Sequence, residues 1–475
     1  MPNKSSFKQI PGSVCAPRGF ETAAIFCDIK KLGTGKGSEK GKKQDLALIV
    51  SNVPAAVAGT FTTNQVCAAP VKISARRAAN KIARAIVVNS GNANACTGKQ
   101  GIRDAEKMTQ IAADAVAAFY SSRRSPAKVD DRRKNSFRPA VANRRYRRIS
   151  AQEVLVCSTG RIGVPMPMKN VERGIHACAP LLARSTKNAR QVAEAIMTTD
   201  TRRKEIAVEL KIGKATVRIG GICKGAGMIQ PGMAAATKHA TMLAFITSDA
   251  AIESAALKRA LETAVAQSFN RITVDGDMST NDSVIMLANG LAENPPIGGA
   301  RLYASPASDR ADKSFQAALN FICLELAKMI VRDGEGVSRF VRLSVRGARS
   351  ARDAESAARA IANSSLVRTS WFGGDPNWGR VLCALGYSSA HVNEATVDVG
   401  YARPGSRKIV FAFRKGRPTN VALSTLAKIT LLREFDLHVD LHLGRAGFIM
   451  YASDLTEDYV AFNKGDVTDP KTLGG

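Results

Sequence analysis

At 475 residues the chain is long enough to bury a large core and to form two lobes. Its apolar fraction of 45% is ordinary for a globular protein, and no run of eighteen or more apolar residues predicts a membrane span. The formal charge of +29 opens a nucleic-acid reading, while nine scattered cysteines without a Cys-x-x-Cys pair argue against a disulfide framework or zinc site and for free thiols in a reducing, cytoplasmic setting.

In chain order, Met1 to Ser13 carries two lysines but no apolar core, so neither a secretory nor a transit segment is expected. Cys27 to Lys43 holds six lysines against two acids and is rich in glycine. Strands are expected over Asp45–Val50 and Ala85–Asn89, then a helix over Asp104–Tyr120, where apolar residues recur every three to four positions. Ser121 to Ser150 follows with eleven Lys/Arg against two Asp. Both basic stretches, about 31–43 and 121–150, read as solvated loops or disordered inserts. Arg123-Arg124, Arg132-Arg133-Lys134 and Arg144-Arg145-Tyr146-Arg147-Arg148 would be the phosphate contacts of a nucleic-acid surface. A basic surface insert without a specific partner is preferred, because charge runs match many things.

Further on, a strand is expected over Val154–Cys157 and helices over Val171–Ala183 and Arg190–Met197. Strands Thr216–Ile222 and Met242–Thr247 precede a helix over Ala250–Phe269 and strands Ile272–Val274 and Ser283–Leu287. Helices Ser314–Val331 and Ala354–Ile361 and strands Lys408–Phe413 and Leu437–Leu443 complete the series. Strands and helices come in groups without strict alternation, which predicts an α+β protein, a layered α/β sandwich of two lobes. No period of twenty to fifty residues repeats, so a solenoid is excluded.

Several candidate sites reduce to ordinary structure. His438 and His442 would share one face of a strand, but no third metal ligand is near, and a solvated strand face is preferred. His176 and Cys178 are read as packing. Asp275 to Asp282 lacks the glycine and glutamate of a calcium loop and reads as a tight turn held by its own Asp and Asn side chains. The glycines around Gly35 do not fit a phosphate loop, so neither metal nor cofactor is expected. Glycine- and threonine-rich turns remain. Ser158-Thr159-Gly160 follows a strand, where a hydroxyl and a backbone N–H can form an oxyanion hole. Thr198-Thr199-Asp200 ends a helix, Gly220-Gly221 and Gly225-Ala226-Gly227 permit close backbone approach, and Thr241 opens an apolar strand.

The order of these turns carries more than any one of them. Ala58-Gly-Thr-Phe-Thr-Thr-Asn64, Ser90-Gly-Asn-Ala-Asn-Ala-Cys-Thr-Gly98, Ser158-Thr-Gly160, Met197-Thr-Thr-Asp200, Lys224-Gly-Ala-Gly-Met-Ile229 and Ala240-Thr-Met-Leu-Ala-Phe245 come first. Phe269-Asn-Arg-Ile-Thr-Val-Asp-Gly-Asp277, Ser279-Thr-Asn-Asp282, Arg332-Asp-Gly-Glu-Gly336, Asp375-Pro-Asn-Trp-Gly-Arg380 and Asp454-Leu-Thr-Glu-Asp-Tyr459 follow. Over nearly the whole chain this series resembles the glutamate N-acetyltransferase (ornithine acetyltransferase) family of arginine biosynthesis.

The resemblance implies a precursor that cuts itself at Ala240–Thr241, giving an α chain (1–240) and a β chain (241–475) that assemble as a heterotetramer of two of each. Thr241 becomes an N-terminal nucleophile with its own α-amine as base, which suits a chain with only five histidines. The acetyl group passes from N2-acetylornithine to Thr241 and then to glutamate, with acetyl-CoA left open as a second donor. By the same resemblance Thr159 and Gly160 form the oxyanion hole. Thr198 (with Thr199 as the neighbouring alternative), Lys224, Thr241, Glu335, Asn463 and Thr468 bind substrate. Lys224 suits a carboxylate and Glu335 an ammonium. The chain departs from the family in about six residues inserted between Pro231 and Thr241, with Gly232 in place of Asn, in its two basic inserts, in Val467 where an aromatic residue is common, and in the tail Asp469–Gly475. A self-cleaving aminopeptidase of the same architecture, or an inactive relative that binds nucleic acid, are the competing readings.

Overall fold

The computed structural model describes residues 7–30, 43–123, 149–231, 233, 242–298 and 306–464, with side chains from 309 in the last segment. Most of both basic inserts, the cleavage pair Ala240–Thr241 and Thr468 lie outside the described residues.

The first half runs β1 (Phe7–Gln9), β2 (Phe20–Ile25), β3 (Leu46–Phe61), α1 (Ala69–Ala78), β4 (Ile82–Asn92), α2 (Gly98–Ser122), β5 (Val154–Arg161), α3 (Met168–Cys178), α4 (Thr186–Ala195), β6 (Lys204–Ile212) and β7 (Ala215–Lys224). Then come β8 (Leu243–Ser248), α5 (Ser254–Ala266), β9 (Ile272–Thr273), β10 (Ser283–Ala288), α6 (Pro306–Arg332), β11 (Phe340–Ala348), α7 (Ala351–Asn363), α8 (Ser365–Phe372) and α9 (Trp378–Gly386). The chain closes with β12 (Asp398–Ala402), β13 (Val410–Arg414), β14 (Arg417–Pro418), α10 (Leu423–Thr430), β15 (Glu434–Asp440), β16 (Ala446–Ser453) and α11 (Glu457–Asn463).

Two mixed sheets result. The first orders its strands β1-β6-β7-β8-β10-β3-β4-β5, with β2 also paired to β3. The second is β14-β13-β12-β15-β11-β16-β9. The sixteen residues of β3 are long enough to take β2 along their first part and β10 along their last, on the flank opposite β4. Its register with β4 shifts between Val50 and Ala55, where Pro54 has no N–H to donate to a ladder.

The layers follow from which faces are apolar. α5 and α6 cover one face of β6, β7, β8 and β10 in a core that includes Val208, Ile219, Ile246, Leu261, Phe315 and Leu326. α6 is long and apolar enough by composition to cross a membrane. Its Phe315, Leu319, Ile322, Leu326 and Ile330 are instead fully buried against the sheet, as a core helix requires. α1, α2 and α3 cover the β3–β5 end, and α7 to α10 cover the second sheet around Trp371, Tyr401 and Phe435. The expected layered α/β sandwich is therefore observed.

The helix starts have local causes. Ser185, Ser350, Ser364, Asn377 and Thr456 each cap a helix, their side-chain oxygens accepting an N–H of the first turn. The Asp375–Arg380 stretch is thus a turn into α9 capped by Asn377. Several expected elements move, two of them instructively. The helix expected over Val171–Ala183 ends at Cys178 and tightens into a 3-10 turn at Ala179–Leu181, where Pro180 cannot continue the ladder. The strand expected over Leu437–Leu443 starts three residues earlier, at Glu434, and stops at Asp440. His442, in the left-handed region at φ 52, therefore lies beyond the strand and cannot share a face with His438. His438 is half-buried rather than solvated, with both ring nitrogens unpaired among the described residues, and His176 is exposed rather than packed.

Candidate active site

The first sheet delivers the site at one end of its central strands. β4 and β5 run parallel, with Ser90 opposite Thr159 and Gly91 opposite Gly160. β5 extends through Thr159 and Gly160 to Arg161, beyond its expected end. The end of β4, through Gly91, lets Gly160 approach closely. Gly160 has φ 130, and a Cβ there would lie 2.3 Å from the Gly91 carbonyl carbon and 2.6 Å from the Asn92 nitrogen. Asn92 fixes the chain at this end of β4 by donating to the carbonyls of Val164 and Pro165 and accepting from the Asn94 N–H.

Lys224 ends β7, and its register partner on β8 is Leu243. The alternation of β7 turns the side chain inward, so it is only 3% exposed. Its Nζ donates to Thr198 Oγ1 at 2.7 Å and to Thr159 Oγ1 at 3.3 Å. One ammonium thus joins a hydroxyl at the end of β5 to one in the turn after α4. Thr198, and not Thr199, takes this bond. Both follow α4 by three or four residues, in a turn, and do not end the helix. Burial pulls the Lys224 ammonium below the ordinary lysine range, and nearby Lys204 adds to that; Asp200 opposes both.

Glu335 approaches from the loop after α6. Its N–H donates to Ala226 O at 2.9 Å, and Asn463 Nδ2 donates to its Oε2 at 3.0 Å. Gly227 leaves room for it, since a Cβ on Gly227 would lie 2.3 Å from Glu335 Oε2. The structure therefore brings Thr159, Thr198 and Lys224 into direct contact, and Glu335 and Asn463 into contact with each other, one loop away. Thr241 and Thr468 fall outside the described residues. Among the described residues no group of His, Cys, Asp and Glu is arranged to hold a metal.

Other parts of the site escaped the sequence reading. The Asp275–Asp282 stretch does not hold only itself. Asp275 accepts the N–H groups of Met228 and Ile229 at 2.6 and 2.8 Å, bracing the Gly225–Ile229 turn. Asn281 donates to Ser158 O and Ala93 O, so it fixes the residue before Thr159. Asp282 accepts the Met242 N–H, and the Ser283 N–H donates to Met242 O. Burial pushes the Asp282 carboxyl well above the usual carboxylate range. Only the Ser-Thr-Asn-Asp stretch itself signalled these contacts, and a turn explained it equally well.

The Thr159 hydroxyl, which accepts from a buried ammonium and so has its own hydrogen to donate, and Gly160, which follows it on β5, suit a donor pair for stabilising negative charge on a carbonyl oxygen. In a layered α/β sandwich this defines an acyl-transfer class of site. Comparison with known proteins makes that specific. The sequence profile of the ArgJ family matches residues 30–124 and 133–466. Arginine biosynthesis bifunctional protein ArgJ of Symbiobacterium thermophilum is 43% identical over 454 residues, 96% of this chain and 98% of that one. Glutamate N-acetyltransferase of Methanocaldococcus jannaschii is 39% identical over 459 residues, again 96% and 98%. Among solved structures, an ornithine acetyltransferase from Mycobacterium tuberculosis in complex with ornithine is 33% identical, covering 48% of this chain and 100% of its own, with a TM-score of 0.38. The chain belongs to the ArgJ family.

Proposed function

We propose that this chain transfers an acetyl group from N2-acetyl-L-ornithine to L-glutamate through an acetyl-threonine on Thr241, as an N-acyltransferase of arginine biosynthesis. The observation that carries the reading is the Lys224 ammonium held between the Thr159 and Thr198 hydroxyls. The Thr241 oxygen bonds to the acetyl carbon as the C–N bond to ornithine breaks. The hydroxyl proton passes through the α-amine of Thr241 to the departing nitrogen. Glutamate then takes the acetyl group by the reverse sequence. Thr159 and the Gly160 N–H carry the oxyanion, and Lys224, Thr198, Glu335, Asn463 and Thr468 hold the amino acid. Acetyl-CoA is a candidate second donor, and the two pieces of the cut chain would form a heterotetramer in the cytoplasm.

Purified protein should split on a denaturing gel into pieces of roughly half length, and intact mass should start the second at Thr241. It should transfer acetyl from acetylornithine to glutamate and leave short peptides untouched. An intact chain that still transfers acetyl would overturn the Thr241 mechanism, and peptide hydrolysis without transfer would point to an aminopeptidase instead.

Gly227→Ala probes the acidic side of the site. The atom it meets is the far end of Glu335, so the carboxylate should move while the fold stays. The KM for acetylornithine should rise about tenfold, equivalent to roughly 1.4 kcal/mol of lost contact, with Tm nearly unchanged. Steady-state kinetics and a thermal melt check both halves.

A further inference from the structure

Lys204 opens β6 and is one of the most deeply buried charged side chains of the molecule, 1% exposed. Its Nζ lies 2.6 Å from Asp200 Oδ1 and 2.5 Å from Asp333 Oδ2. Neither carboxylate stops there. Asp200 Oδ1 also accepts the Gly225 N–H at 2.7 Å, and its Oδ2 the Thr198 N–H at 3.0 Å. Asp333 accepts the N–H groups of Thr201 and Arg202 at 3.1 and 3.3 Å and the Thr201 hydroxyl. Two residues past Asp333 stands Glu335, whose N–H donates to Ala226 O, the residue after Gly225.

We propose that Lys204 is a positioning residue for the acetyl-transfer site, fixing through Asp200 and Asp333 the three segments that carry Thr198, Lys224 and Glu335. The inference rests on the acetyl-transfer reading. Charge alternates along the cluster from Asp333 through Lys204 and Asp200 to Lys224. Burying charges is tolerable only when each is paired, and here the pairing ties three separate stretches of chain to one ammonium. The Asp200 carboxyl feels burial first, but Lys204, Lys224 and the Gly225 N–H outweigh it and hold it down at about 2. It is therefore ionised and available to both lysines at any working pH. Asp200 is paired with Lys204 and attracts the Lys224 ammonium through space, while Lys204 repels that ammonium. The charged and titratable groups around Lys224 are Asp200, Lys204, Glu335 and Asp282, with Lys30 and Cys223 also in range.

Removing Lys204 alone would strand two buried carboxylates and threaten the fold. The test is Lys204→Met combined with Asp333→Asn, which removes one charge of each sign and leaves an amide oxygen to accept from Thr201. Wild-type transfer is measured first; its absence overturns the functional reading and takes this inference with it. In a double variant that melts like a folded protein, the KM for acetylornithine should rise about tenfold or more while kcat falls less. The alkaline limb of the kcat/KM profile should also move to higher pH, because Lys204 no longer repels the Lys224 ammonium while Asp200 still attracts it. A merely structural role would lower the amount of folded enzyme and leave KM and the limb where they are; that result in a folded double variant overturns the proposal. If the double variant does not fold, Asp333→Asn alone, which keeps the Lys204–Asp200 pair, should raise KM severalfold without moving the limb, and an unchanged KM there overturns it equally.

Discussion

Thr241→Ala should leave a single polypeptide of 50.5 kDa and remove acetyl transfer altogether. The substitution deletes one hydroxyl, and on the proposed mechanism that oxygen is needed twice: to attack its own preceding carbonyl and, later, the acetyl group of the substrate. Without the first event there is no free α-amine, and without the second there is no acyl-enzyme. The surroundings are built independently of this side chain. Met242 is clamped on both backbone groups by Asp282 and Ser283, and Leu243 is paired to both β7 and β10. The variant should therefore fold, with a Tm close to that of an uncut protein. Lys224, Thr198, Glu335 and Asn463 are untouched, so ornithine or glutamate should continue to protect it against heat. Intact mass, a transfer assay and a melt with and without ligand make three separate readouts. Residual transfer at more than a trace would put the nucleophile elsewhere.

Gly160→Ala should have nearly as large an effect, for a different reason. At φ 130 an added side chain is strained by its own backbone, and its Cβ would also drive into the Gly91–Asn92 peptide. Both obstacles are backbone, so no rotamer change relieves them. Strain and overpacking each cost about 1–3 kcal/mol, and the cheapest relief is to pull β5 away from β4 at this point. That movement displaces the Gly160 N–H and carries Thr159 off Lys224. Losing one oxyanion donor typically costs about two to three orders of magnitude in rate, and here two would be disturbed together. The expected result is a folded but less stable protein whose kcat falls by at least roughly a hundredfold while KM changes little. A kcat within a factor of a few of wild type would remove Gly160 from the oxyanion hole.

The first-sheet strands were legible because Leu46 to Val50, Ala85 to Val88 and Val154 to Cys157 are continuous apolar runs, as fully buried strands are. β6 was not, because Lys-Glu-Ile-Ala-Val-Glu-Leu-Lys-Ile is made largely of good helix formers, and only pairing with β1 and β7 decides for a strand. β15 was placed late because Glu434 and Asp436 put charges where a strand is recognised by apolar residues. In the fold they are strand residues whose charges meet Arg332 at 2.8 Å and Arg342 at 3.3 Å. The short helices α8, α9 and α11 were missed altogether; too short to show a periodicity, they had only their caps Ser364, Asn377 and Thr456 as a signal. At the site, the resemblance located Thr159, Thr198 and Lys224, which the fold brings into contact. Lys204 had no such signal. In Arg202-Arg203-Lys204 it looks like one more solvated cation, and only the arrival of Asp333 from over a hundred residues away makes it a buried centre.

The strand order of the first sheet constrains the life history of the protein. β8 and β10, which follow residue 241, lie between β7 and β3, which precede it. Cutting the backbone at Ala240–Thr241 would thus produce two polypeptides spliced into one hydrogen-bonded sheet, not two neighbouring domains. Each alone would expose open ladder edges where the other belongs, so neither is expected to be soluble when expressed separately. Scission would have to follow folding. Once cut and melted, the protein would face a bimolecular reassembly it never faced as a nascent chain, and its recovery should depend on concentration where that of Thr241→Ala does not.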